Sequence, residues 1–81
     1  MKALVVYSRR GCHMCDDLLE ELEPLVRGKL ALSVVDIDED QILRERYNDK
    51  VPVVAFRDQE ICRYKLDRQA MQALLAEAAG P

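Results

Sequence analysis

The sequence predicts an α/β domain of order β-α-β-α-β-β-α, a mixed four-stranded sheet with helices on both faces. Three observations carry this expectation. Short apolar, β-branched runs of strand length alternate with stretches whose leucines recur at helical spacing. A polar "RDQE" stretch separates two neighbouring strand-like runs, which marks a hairpin. No repeat, low-complexity tract or linker interrupts the pattern, so one domain over residues 1–81 is expected.

Residues 2–7, "KALVVY", read as a buried strand, and Gly11 marks the turn after it. Leu18, Leu19, Leu22, Leu25 and Val26 then fall on one helix face, with Asp16 and Asp17 suited to the first turn. Pro24 removes a helix hydrogen bond, so a kink or a looser last turn is expected there, and Gly28 ends the helix. A second strand covers residues 31–37. Asp38 followed by Gln41 resembles a capping box opening a short helix through Tyr47. The third strand is "VPVVAF" from Val51, and residues 60–65 pair back as a fourth. Asp67 caps the last helix, "RQAMQALLAEAA", with an apolar stripe of Met71, Leu74, Leu75 and Ala78. A right-handed first crossover makes strands one and two parallel, and the hairpin makes the last two antiparallel.

With 49% hydrophobic and 33% charged residues in 81, the composition is that of a small globular domain. A net charge of −3 and the absence of like-charge blocks give no electrostatic case for nucleic acid or an anionic membrane as partner. No apolar run approaches the roughly 18 residues needed to span a bilayer. Three cysteines, two of them close together, do not resemble the even, spread framework of a small secreted protein, so a reducing, cytoplasmic setting is expected.

The chemistry-bearing stretch is "YSRRGCHMCDDLL", from Tyr7 to Leu19. Cys12 and Cys15 stand at i,i+3 where strand one meets helix one, close enough to close a disulfide. The unpaired amides and partial positive charge of a helix start favour a thiolate at Cys12. In such motifs the thiol pKa commonly falls from about 8.5 to roughly 3.5–7.5. Arg9, Arg10 and His13 push the same way, while Asp16 and Asp17 oppose; Arg9, Arg10 and His13 also read plainly as solvated loop residues. A structural disulfide, or half of a zinc site, is the competing reading of the pair. Zinc would need four ligands, and only Cys62 and His13 remain, so no metal is expected.

"VVYSRRGCHMC" resembles the strand-loop-helix opening of glutaredoxins, in which a dithiol follows a Tyr-Ser-basic segment. Val51-Pro52 resembles the Val-Pro pair of that family, whose proline is cis beside the active-site cysteines. The resemblance covers nearly the whole chain and implies a thioredoxin/glutaredoxin-like fold. It implies a thiol–disulfide oxidoreductase acting in electron transport, with Cys12 as nucleophile and Cys15 resolving. Arg9, Arg10, Gly11, His13, Val51 and Pro52 would form the site's surroundings. The chain departs from the family where a Gly-Gly pair and following acids help hold glutathione: "ICRYKLD" places Cys62 and Arg63 at the glycine positions and Lys65 and Leu66 where acids are usual. Cys62, Arg63, Tyr64 and Lys65 are thus candidate substrate-binding residues, although Cys62 and Tyr64 also read as packing. The nearest likeness is to small bacterial glutaredoxin-like proteins with CHxC motifs. The resemblance implies no cofactor, glutathione at most as a weak co-substrate, and a monomer whose partners are a disulfide-bearing protein or small thiol and a separate reductant. A non-catalytic redox-sensing or protein-binding domain is the alternative, and a dimeric thiolate metal or iron–sulfur carrier a third reading.

Overall fold

The computed structural model describes residues 3–78. Its elements are β1 (Ala3–Ser8), α1 (His13–Val26), β2 (Ala31–Asp36), a 3-10 turn (Ile37–Glu39), α2 (Gln41–Tyr47), β3 (Val53–Phe56), β4 (Gln59–Arg63) and α3 (Arg68–Ala78). The sheet order is β2-β1-β3-β4, with β1 parallel to β2 and antiparallel to β3, and β3 antiparallel to β4. This is the mixed α/β architecture that the order of apolar runs predicts.

Alternation along β1 divides the molecule. Leu4 and Val6 point to one face, where with Val54 and Phe56 of β3 they meet Leu18, Leu22 and Val26 of α1 and Met71, Leu74 and Leu75 of α3. Tyr7 points the other way, into a smaller cluster with Leu43 and Tyr47 of α2. Every residue of β3 is buried, which explains its unbroken apolar run. The second cluster gathers Ile37, Val51 and Cys15 where the β1–α1 and α2–β3 connections come together. The sheet therefore brings those connections to one end of the molecule.

Several boundaries differ from the sequence expectation, each for a local reason. β1 runs to Ser8, because Ser8 still pairs with Asp36 of β2; Lys2, placed in this strand, lies outside the described residues. β2 stops at Asp36, whose carboxylate accepts the Asp38 amide at 2.9 Å and turns Ile37 into the 3-10 segment. The cap of α2 is Asp40, not Asp38: its Oδ1 accepts the amides of Ile42 at 2.8 Å and Leu43 at 3.3 Å. Asp38 is engaged elsewhere, by Arg9. β3 begins at Val53, since Val51 and Pro52 make the turn into it. α1 continues through Pro24 to Val26, and Gly28 takes φ +77° just beyond its end. β4 carries a bulge opposite Val54/Ala55, which sets both Ile61 and Cys62 against the core, and it ends at Arg63. Asp67 caps α3 by accepting the Ala70 amide at 3.0 Å. Ala79, and the side chain of Ala78, lie outside the described residues.

Candidate active site

β1 delivers the chain to Ser8, and the Arg9–Gly11 loop must then reverse it into α1. Gly11 adopts φ +75°, a left-handed conformation that glycine enters without a Cβ penalty. Cys12 follows in extended conformation as the N-cap of α1, and its Sγ accepts the Cys15 amide at 3.1 Å. Cys12 and Cys15 are joined as a disulfide with their Cα atoms 5.2 Å apart, within the usual span for such bonds. The two sulfurs are unequal. Cys15 is completely buried, whereas Cys12 is half-buried at the rim.

The floor beneath the pair is apolar and aromatic. Cys15 packs with Ile37 and Val51, and Tyr7, Cys12, Leu43 and Tyr47 close around them. The Tyr7 and Tyr47 rings stack with centroids 4.5 Å apart. Burial, reinforced by Tyr47, raises the Tyr7 phenol above its ordinary 10.0. Val51 belongs to the same cluster as both cysteines, and its bond to Pro52 is cis. The Pro52 carbonyl accepts the Tyr64 amide at 2.8 Å, tying the residue after β4 to this end of the sheet. Tyr64 holds φ +69°, a left-handed conformation unusual for an aromatic residue.

The basic residues upstream are directed to carboxylates. Arg9 forks onto Asp38 at 2.9 and 3.1 Å and donates to the Asn48 carbonyl at 3.0 Å. It thereby braces the loop before Cys12 against the segment leading to Val51-Pro52, and it holds the Asp38 carboxyl below its usual 3.8 by this hydrogen bond. Arg10 is 91% exposed and lies 3.8 Å from Asp36. His13 is exposed at the first position of α1. With both guanidinium groups facing carboxylates, the helix start is the most direct stabiliser of a thiolate at Cys12.

The four candidate substrate-binding residues fall into two groups. Cys62 packs against the core, and burial raises its thiol pKa above 9.0. Arg63 is held bidentately by Glu60 at 2.6 and 2.7 Å. Tyr64 and Lys65 instead line a groove of about 400 Å³ with Met14, Asp17, Leu18, Glu21 and Leu66. The α1 members of that groove, and the Tyr7–Tyr47 stack, were not singled out from the sequence as site residues. Their helical spacing from the CxxC pair was the available signal for the former; nothing local marks the latter, 40 residues apart in the chain. Among the described residues, no cluster of three or more His, Cys, Asp or Glu is placed to hold a metal ion, and no helix is long and apolar enough to cross a membrane.

Comparison with known proteins bears on the family and the fold. The family model described as Glutaredoxin-like domain (DUF836) matches residues 3–76. The solution structure of protein Ne2328 from Nitrosomonas europaea is 38% identical, with 90% of this chain and 89% of that one covered and a TM-score of 0.79. The X-ray structure of XcR50 from X. campestris is 31% identical, covering 96% of this chain and 99% of that one at a TM-score of 0.69. A mutant thioredoxin from Halobacterium salinarum, 21% identical, covers 98% of this chain and 75% of its own at a TM-score of 0.67, a likeness of fold. No curated protein matches the chain. On the extent of the family match and the shared thioredoxin-like fold, this chain belongs to the glutaredoxin-like domain family.

Proposed function

We propose that the protein is a thiol–disulfide oxidoreductase in which Cys12 is the nucleophile and Cys15 the resolving thiol. The observation that supports this most is the asymmetry of the pair: a half-buried N-cap sulfur accepting a backbone amide, bonded to a fully buried partner. In the reduced form the Cys12 thiolate attacks one sulfur of a substrate disulfide. A mixed disulfide forms and the other substrate sulfur leaves as thiolate, taking up a proton. Cys15 then loses its proton and attacks Cys12 Sγ, which releases the second substrate thiol and closes Cys12–Cys15. Two electrons have passed to the substrate, and a separate thiol reductant returns them.

Pro52 is itself buried and acts through its carbonyl, which holds the Tyr64 amide, while Gly11 sets the approach of Cys12. Arg9 holds the loops together. No metal or organic cofactor takes part in this scheme. Glutathione acts at most as a weak co-substrate, because Cys62 and Arg63 stand where the family usually carries two glycines, and Lys65 and Leu66 where it carries acids. The exchange suits a reducing compartment such as the cytoplasm. Turnover of a disulfide substrate with a recycling reductant is the test. Wild-type protein is expected to turn over, Cys12→Ser to be inactive, and Cys15→Ser to accumulate a mixed disulfide through Cys12. Full activity in Cys12→Ser would overturn the assignment.

A further inference from the structure

The groove that Tyr64 and Lys65 line is made by two elements. Met14, Asp17, Leu18 and Glu21 follow one another at i, i+3, i+4 and i+7 along α1, a stripe that starts between the two cysteines. Tyr64, Lys65 and Leu66 form the facing wall, anchored to Pro52 through the Tyr64 amide. Met14 is 43% exposed and Tyr64 40%, so two of the large apolar side chains left outside the core meet at this place. Tyr64 is kept there in a left-handed conformation that an aromatic side chain rarely adopts.

We propose that this groove receives an extended polypeptide segment flanking the substrate's disulfide and selects one that carries a lysine or arginine close to the reacting cysteine. The inference rests on the oxidoreductase reading and names its substrate class. The floor of Met14, Leu18 and Leu66 suits the aliphatic stem of such a side chain, and the Tyr64 ring attracts its cationic head. Asp17 has no ion-pair partner among the described residues and is free to meet that charge, while Glu21 is shared with Arg68 at 3.9 Å. Lys65, likewise unpaired among them, lines the same groove and suits a carbonyl or carboxylate of the same segment. A small thiol of net negative charge gains from Lys65 but meets two carboxylates on α1.

The test uses short cysteine peptides joined to one common leaving thiol, with Arg, Leu or Glu two residues from the cysteine. Glutathione joined to the same thiol serves as the small-molecule arm. The measured quantity is kcat/KM at low and high salt for the wild type, Asp17→Lys and Glu20→Lys, the last a charge control outside the groove. Amide shifts are followed when oxidised protein is titrated with the Arg or the Glu peptide carrying Ser for Cys. The Arg peptide is expected to exceed the Glu peptide by roughly three- to tenfold, with the ratio falling in salt. Asp17→Lys should abolish or reverse the ratio, Glu20→Lys should keep it, and the amides of Met14, Leu18 and Lys65 should shift. Equal rates, a preference for Glu, or glutathione outrunning every peptide would overturn the proposal. Groove shifts at lower concentration of the Arg than of the Glu peptide, without turnover of any substrate, would support the peptide preference while overturning the oxidoreductase reading. Turnover without preference or shifts would do the reverse.

Discussion

A thiol's reactivity follows its surroundings, and this chain sets three cysteines in three of them. Cys12 caps α1 at the rim, Cys15 is buried beneath it, and Cys62 is half-buried against the core with its pKa raised by desolvation. Alkylation of the reduced protein at neutral pH, followed by peptide mass analysis, is expected to label Cys12 first, Cys62 well behind it and Cys15 last. Faster labelling of Cys15 would exchange the proposed roles. The CxxC pair was legible at once, because spacing and helix position are local properties. Arg9's partners were not: Asp38 is 29 residues away and Asn48 is 39, and no local pattern announces either. The Arg9–Asp38 pair also gives a pH dependence. The folded Asp38 carboxyl lies below its ordinary value, so its contribution to stability is complete above the unfolded pKa of about 3.9 and is lost as pH falls through the folded value. Carboxyl chemical shifts should place the Asp38 midpoint below 3.8 in the wild type and return it upward in Arg9→Gln.

Among the elements, those with strong periodicity were readable and those shaped by hydrogen bonds across the chain were not. The leucine stripe of α1 and the Met71–Leu75 stripe of α3 face the core as their spacing predicts. The bulge in β4 could not be read, because "EICRYK" alternates too weakly to fix a register. Neither could the Asp40 cap be chosen among Asp36, Asp38 and Asp40, all of which have the right side chain. Two substitutions test the local energetics. Pro24 lies within α1 with no amide to donate, so Pro24→Ala is expected to stabilise the fold by about 1–3 kcal/mol. The β3–β4 turn uses Arg57 at φ 52° and Asp58 at φ 65°, the signs of a type I′ hairpin for which Asn-Gly is preferred. Replacing the pair by Asn-Gly is expected to add about 1 kcal/mol. Urea denaturation of both variants, read as midpoint at constant slope, checks these values.

At the scale of the whole molecule, the parallel β1–β2 pair and the antiparallel hairpin were legible from element order, since few connections satisfy it. The groove was not, because it exists only where α1 passes the β4–α3 loop. The large core under α1 and α3 supports the site without touching the sulfurs. Leu22→Ala, at a fully buried position, is expected to lower stability by about 2–5 kcal/mol while leaving the reduction potential of the cysteine pair unchanged as long as the fold persists. The central claim is that Cys12 and Cys15 interconvert reversibly between dithiol and disulfide. Equilibrating the protein in dithiol buffers of graded potential, then quenching and weighing the Cys12–Cys15 peptide, measures this directly. The account predicts one two-electron transition, about 30 mV per tenfold change in ratio, approached equally from either side and independent of Cys62. A pair that never oxidises, that cannot be re-reduced, or that titrates only together with Cys62 would contradict it.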